Sequence, residues 1–272
     1  NNDRSRIDIC KMLIHAQPLT LPMPPGRIPE EQLARQCRWL GDSWIWLLRT
    51  IVLPGMSMGT GRPTALDVGC GPGLVMELLS PYLDVQGVDI DAEAVYACRS
   101  RDQKAVQARA EDLPFDDASF DIVYCSYLLL WVEDAAAAVR EMARVARTWV
   151  LCFAEPDYCG RISYPPEVSV IDDAMVRGLR GQGADPEMGR KIPGIISQCG
   201  LVPATGTFSG MRMAGWTKEE ADREWEEIVH MTSGILGQDK MAVVRRAWDQ
   251  AVTEGTLVQH NPVFYALSKK ER

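Results

Sequence analysis

The chain has 272 residues, 46% apolar and 24% charged, with 29 basic against 37 acidic side chains and a net charge of −8. That apolar mass suffices for one large core with a helical annex. An acidic balance with no Lys/Arg run argues against a nucleic-acid partner, and the most apolar stretch, Ser43 to Leu53, is interrupted by Arg49 and too short for a membrane span.

In chain order, residues 1–60 read as an N-terminal cap. They are irregular to about Ile28 through the Pro-rich LPMPPGRIPE, then helical from Pro29 to near Gly41 and again to near Ile51. Residues 61–272 form the main domain. Apolar or alternating runs predict strands at Ala65–Val68, Val85–Ile90, Ile122–Cys125, Trp149–Ala154, Leu201–Phe208 and Val263–Leu267. Helices are predicted at Leu74–Ser80, Ala92–Arg101 and Ala135–Ala146, the last opened by Asp134. This alternation predicts an α/β fold with a doubly wound, mostly parallel sheet.

Two segments break the alternation. Asp157–Pro186 and Thr217–Glu254, the second opened by the capping box Thr217-Lys-Glu-Glu220 and carrying Trp225, Ile228, Val229 and Met231, read as insertions near 157–186 and 215–256 that form a lid over the sheet's mouth. Trp39, Trp44 and Trp46 are expected to pack the cap onto the sheet.

The stretch Gly69-Cys-Gly-Pro-Gly73 follows the first strand and precedes a helix. Such a turn brings backbone and helix start close to a ligand at the carboxyl ends of the strands. A dinucleotide fingerprint would need a glycine where Leu74 stands, and Pro72 removes an N–H from the cradle, which weakens a pyrophosphate reading. The second strand ends in Asp89, placed to accept both hydroxyls of a ribose, so an adenosine is the expected ligand. Taken alone, Asp89 would equally suit a helix cap.

With Ala108 to Asp134 added, the chain resembles class I S-adenosylmethionine-dependent methyltransferases of the small-molecule, methyltransferase type 11 group that includes ubiquinone and menaquinone C-methyltransferases. The resemblance rests on Leu66-Asp-Val-Gly-Cys-Gly-Pro-Gly73, Gly87-Val-Asp-Ile-Asp91, Ala110-Glu-Asp-Leu-Pro-Phe115 and Ser119-Phe-Asp-Ile-Val123, and covers Ala65 to Ala154. It implies a Rossmann-like, seven-stranded sheet that binds S-adenosylmethionine and releases S-adenosylhomocysteine. Carried over by position, Asp67 with Gly69, Cys70 and Gly71 would hold the methionine moiety and Asp89 the ribose. Ile90 would pack on the adenine, Ala110 and Glu111 would lie near its amine, and Ser126 would approach the amino-acid part. Relatives often carry Asp where Arg109 stands here and His where Leu130 stands.

Methyl transfer by in-line displacement draws mainly on proximity and alignment. The expected acceptor is a small molecule, apolar or aromatic, met by residues past the fourth and fifth strands: Tyr127, Trp131 and Tyr158, with Asp157, Arg161 and Tyr164 nearby. Glu155 is the candidate base. Other readings are a non-catalytic adenosyl-ligand binder and an NAD(P)-dependent oxidoreductase. Eight cysteines without a CxxC pair, and His15, His230 and His260 set far apart, predict neither disulfides nor a metal site. Cys70, Cys125, Cys152, Cys159 and Cys199 read as small buried hydrophobes, and a reducing cytoplasm is the expected setting.

Overall fold

A computed structural model describes residues 30–56, 61–210 and 213–271. Cys10, His15 and the Pro-rich stretch up to Pro29 lie outside the described residues. The strands are Thr64–Val68 (β1), Asp84–Asp89 (β2), Lys104–Gln107 (β3), Phe120–Ser126 (β4), Ala146–Pro156 (β5), Ile162–Tyr164 (β6), Pro203–Ser209 (β7), Val258–His260 (β8) and Pro262–Lys269 (β9). The helices are Glu30–Leu47 (α1), Leu74–Leu79 (α2), Ala92–Ser100 (α3), Ala135–Val145 (α4), Val170–Gly181 (α5), Met188–Gln198 (α6), Lys218–Met231 (α7) and Gln238–Glu254 (α8).

Seven strands form one sheet in the order β3-β2-β1-β4-β5-β9-β7, with β9 antiparallel to both neighbours. The other neighbouring pairs run parallel. The chain moves outward from β1 to β3, then returns to place β4 on β1's other side. That reversal opens a crevice at the carboxyl ends of β1 and β4, where open α/β sheets take ligands.

Period-two alternation divides the central strands between two cores. Val123 and Cys125 face a core shared with Val139 and Met142 of α4 and Ile192 and Ile196 of α6. Ile122 and Tyr124 face the opposite core, shared with Leu40, Trp44 and Leu47 of α1 and Leu79 of α2. Buried on both faces, these strands carry apolar residues with little interruption. Helix starts follow from local chemistry. Asp91 accepts the Glu93 N–H, Asp134 accepts the Ala137 N–H, and the Thr217/Glu220 capping box is closed in both directions.

A third core joins the insertions: Ile171 and Met175 of α5, Trp225 and Ile228 of α7, and Val244 and Trp248 of α8. Trp248 is fully buried against Trp216 and Trp225. Trp248→Ala is expected to cost about 3–5 kcal/mol in urea denaturation; a loss under about 1 kcal/mol would mean that this layer contributes little to the cooperative unit.

Several expectations change. The cap helix does not stop at Gly41: α1 runs through it, because Gly41 lets the helix approach Leu78 of α2, whose Cδ2 lies 3.1 Å from where a Cβ would stand. Past Leu47 the backbone continues as a π-helical turn over Leu48–Val52. The segment Thr217–Glu254 forms two helices, α7 and α8, and Val229 is exposed rather than on the packed face with Trp225 and Ile228. Among the tryptophans, Trp44 is buried as expected, Trp46 is exposed and Trp39 lines a cavity. Cys159 is exposed rather than buried. The short, half-exposed β3 and the β6–β8 pair carry too little apolar pattern to be read from sequence. No described helix is long and apolar enough to cross a membrane.

Candidate functional site

Gly69, Gly71 and Gly73 all have positive φ (74°, 51° and 86°), a region that side chains disfavour. Two are also closed off sterically. A Cβ at Gly69 would stand 2.6 Å from Leu128 Cδ1, and one at Gly73 would stand 1.8 Å from Gln103 Oε1.

The loop's own amides are spent inside the protein. The Gly69 and Cys70 N–H groups donate to the Val88 carbonyl at 2.7 and 3.0 Å, and that of Gly73 donates to the Cys70 carbonyl. The Gly71 N–H donates to Asp89 Oδ2 at 2.8 Å. With Pro72 lacking an N–H, the turn is no phosphate cradle. The expectation that its amides face a ligand is corrected, and with it goes the pyrophosphate-binding form of the NAD(P) reading.

Asp89 ends β2, its Oδ1 also accepting the Asp91 N–H at 2.9 Å. Burial raises its carboxyl, opposed by those amides. Asp91, not Asp89, caps α3, so the capping role is taken. Beside Asp89, Ile90 is 59% exposed and lines a cleft of about 300 Å³ with Gly69, Ala110, Glu111, Leu128 and Trp131. Arg109 reaches Glu111 and Glu133, each at 3.4 Å, across the cleft's rim.

Asp67, deep at the end of β1, is 1% exposed. Neither of its oxygens has a well-formed hydrogen bond among the described residues, nor does the Tyr124 hydroxyl. Burial pushes the Asp67 carboxyl well up, with the Tyr124 hydroxyl close enough to oppose the rise. A buried carboxyl without a partner calls for a cation or a donor.

A second cavity, about 280 Å³, lies beyond Trp131, which lines both spaces. Tyr127, Trp131 and Tyr158 are brought together there, with Trp39 of α1 completing an aromatic wall. Burial pushes the Tyr158 phenol up to about 12 and the Tyr127 phenol up as well. Both stay protonated at neutral pH and act as walls rather than bases. The remaining lining is polar: Arg35 of α1 pairs with Glu224 at 3.5 Å and with Glu227 of α7, and Arg161 pairs with Asp172 at 3.0 Å and Glu224 at 3.7 Å. The cavity wall is therefore charged as well as aromatic: α1 and α7 carry charges across it that sequence periodicity does not bring together.

Glu155 is fully buried. It accepts the Leu128, Leu129 and Leu130 N–H groups at 2.9, 2.8 and 3.3 Å, fixing the turn that carries Tyr127 and Trp131. The candidate base is thus a backbone clamp, its oxygens turned into the loop rather than toward the cavity. Asp157 is buried and held by Arg190 at 2.5 and 2.9 Å, and Tyr164 is half exposed on β6 and lines neither space. Ser126 is half-buried at the end of β4. Cys70 is buried against Cys98, 3.8 Å away. No group of three His, Cys, Asp or Glu among the described residues could hold a metal.

A family model described as a methyltransferase domain matches residues 66–152. The demethylmenaquinone methyltransferase of Roseiflexus sp. (strain RS-1) is 34% identical over 193 residues, which span 65% of this chain and 76% of that protein. The chain belongs to the class I S-adenosylmethionine-dependent methyltransferases. Coverage of other relatives is narrower. The uncharacterized methyltransferase YcgJ of Bacillus subtilis is 41% identical over 90 residues, 30% of this chain and 36% of that protein. An uncharacterized protein of a Streptomyces fradiae transposon is matched over 52% of its length. The YcgJ crystal structure superposes with a TM-score of 0.52 at 21% identity, covering 85% of this chain and 99% of that one. The cyclase SpnF superposes with a TM-score of 0.51 at 15% identity, covering 85% of this chain and 81% of that one. In this methyltransferase family member, the residues missed by sequence reasoning are Arg35, Glu224 and Glu227. Helical amphipathicity cannot single them out, because charges on a helix are ordinarily solvated.

Proposed function

We propose that the chain transfers a methyl group from S-adenosylmethionine to a small organic acceptor, with the cofactor in the cleft beside Asp89 and the acceptor beyond Trp131. The observation that carries this is the combination at the end of β2. Asp89 is relieved of capping by Asp91, an exposed Ile90 offers an apolar face, and the glycine loop has no amides left for a phosphate.

The residues fit the group's parts. Asp89 would accept from ribose hydroxyls, Ile90 would pack on the adenine with Ala110 and Glu111 along its edge, and the buried Asp67 carboxyl, with only the Tyr124 hydroxyl near it, would suit the ammonium, with Gly69, Cys70, Gly71 and Ser126 around the amino-acid part. When bound, S-adenosylmethionine supplies an electrophilic methyl group for in-line displacement by the acceptor. The chain itself aligns and encloses. Trp131 separates the two spaces, Glu155 fixes the turn that carries it, and α1 with the insertion helices α5, α7 and α8 forms a lid that excludes water. With Tyr127 and Tyr158 protonated and Glu155 clamped, positioning rather than a dedicated base supplies most of the acceleration.

Calorimetric titration of the purified protein with S-adenosylmethionine, S-adenosylhomocysteine and NAD tests this. Binding of the first two in the micromolar range, about −8 kcal/mol, with none for NAD is the expected result. Tighter NAD binding, or no binding of either sulfur compound, would sink the reading. The alternative is a protein of this fold that holds the cofactor without spending it. Release of S-adenosylhomocysteine during turnover with any acceptor decides against that alternative.

A further inference from the structure

We propose that the acceptor is a compact, flat, uncharged molecule that presents a hydroxyl or carbonyl oxygen to Arg161, and that it is neither an amine nor a carboxylate. This rests on the methyltransferase reading and deepens it.

The cavity's inner end offers hydrogen-bond donors that the protein does not use. The Arg161 side chain is 1% exposed. Its Nε faces Asp172 at 3.0 Å and its Nη2 donates to Gln259. Nη1 is buried and has no hydrogen-bond partner among the described residues, while Arg161 lines the cavity. The Trp131 indole N–H is likewise buried and unpartnered, and beside these donors stands one unpartnered acceptor, the oxygen of the Asn261 carboxamide, on a residue 4% exposed. Leaving such groups unpaired is costly, so the molecule that fills this space has to supply an acceptor oxygen to the two donors, Arg161 and Trp131, and a hydroxyl in particular also supplies the O–H that the Asn261 oxygen lacks.

Charge restricts it further. Asp172, Glu224 and Glu227 already outnumber Arg35 and Arg161 in the buried network. A carboxylate would add to an excess of negative charge away from water, and an ammonium, which that excess would attract, offers no acceptor to the Arg161 and Trp131 N–H groups and leaves both unpaired. A neutral oxygen meets neither penalty. The aromatic wall of Trp39, Tyr127, Trp131 and Tyr158 favours a flat ring system. The charged opposite side, with Arg223, Glu226 and His230, opposes a long hydrocarbon tail.

The test uses four probes titrated calorimetrically into protein saturated with S-adenosylhomocysteine: 2-naphthol, 2-acetylnaphthalene, 2-naphthoate and 2-naphthylmethylammonium. They share one ring and differ in the group presented. The two neutral probes are expected to bind about tenfold or more tighter than either ion. Arg161→Lys keeps the charge but loses the planar fork, and should remove most of that preference while S-adenosylhomocysteine affinity stays within about threefold of wild type. Asn261→Ala, which leaves the ion network intact, should weaken 2-naphthol by about threefold to tenfold and decides the matter if Arg161→Lys does not fold. Preference for either ion, failure of all four probes to bind at millimolar concentration, or wild-type affinity in both variants would overturn the proposal. Failure of S-adenosylhomocysteine itself to bind would overturn the cofactor reading and this inference with it, whereas cofactor binding without the probe preference would overturn this inference alone.

Discussion

Asp89→Ala is expected to weaken S-adenosylhomocysteine binding by about 100-fold or more in calorimetry. The carboxylate stands at the end of β2 with both oxygens anchored by backbone amides, Gly71 on one and Asp91 on the other. Each oxygen keeps a second lone pair for a ligand hydroxyl. Two hydrogen bonds to a charged group, at roughly 1.5–3 kcal/mol each, correspond to two or more orders of magnitude in affinity. Asp91→Ala is the control, because it removes the cap of α3 and only that. It should cost about 1 kcal/mol of stability and leave binding close to wild type. Should Asp89→Ala bind within about threefold of wild type while Asp91→Ala loses binding, the acid that serves the ligand would be the other one and the cleft would have to be redrawn.

The second large effect belongs to Glu155. Glu155→Ala removes the acceptor of three buried amides at Leu128, Leu129 and Leu130. At about 1–3 kcal/mol for each orphaned donor, relieved in part by relaxation of the loop, about 3–5 kcal/mol of stability should be lost, and with it the placement of Tyr127 and Trp131. The carboxyl also gives stability a pH dependence of a definite sign. Burial raises it from 4.5 to about 7 in the folded chain, the three amides holding it from rising further. Below 4.5 the group is protonated folded or unfolded and its contribution is fully present. As the pH rises through 7, the folded protein has to ionise a buried acid that the unfolded chain ionises freely, and the contribution is lost. The gap corresponds to roughly 3 kcal/mol. Glu155→Gln, which does not titrate, is therefore expected to gain on wild type by about that amount between pH 5 and pH 9 in urea denaturation. A wild type that instead gains on Glu155→Gln over this range would show that the amides outweigh burial.

The elements of the proposed cofactor cleft were legible in the sequence because their requirements are local. Three glycines in five residues announce a turn with positive φ, an acid closing the next strand announces a group for hydroxyls, and the strand–helix alternation places both at the same end of a parallel sheet. Ile90 was legible through the family resemblance alone, since periodicity places it within the second strand. Of the second cavity only Arg161 and the aromatic residues Tyr127, Trp131 and Tyr158 were legible. Glu155 closes an apolar run and reads as an acid at the mouth, yet the β4–β5 pairing turns it under the neighbouring loop. Arg35, Glu224 and Glu227 lie on helices far apart in sequence, and each taken singly is an ordinary surface charge.

What the sequence by itself determined is the alternating α/β layout, the glycine turn, the helix caps at Asp91, Asp134 and Thr217, and the acid at Asp89, all of them set by the conformational and hydrogen-bonding preferences of neighbouring residues. Only the tertiary structure decided that the loop's amides are spent on Val88 and Asp89, that Glu155 clamps a turn, and that α1 and α7 close a charged, aromatic-walled cavity over the sheet. Those outcomes depend on which buried polar groups find partners across long separations in the chain. Packing settles that, because each such group left without a partner costs more than most local preferences can supply.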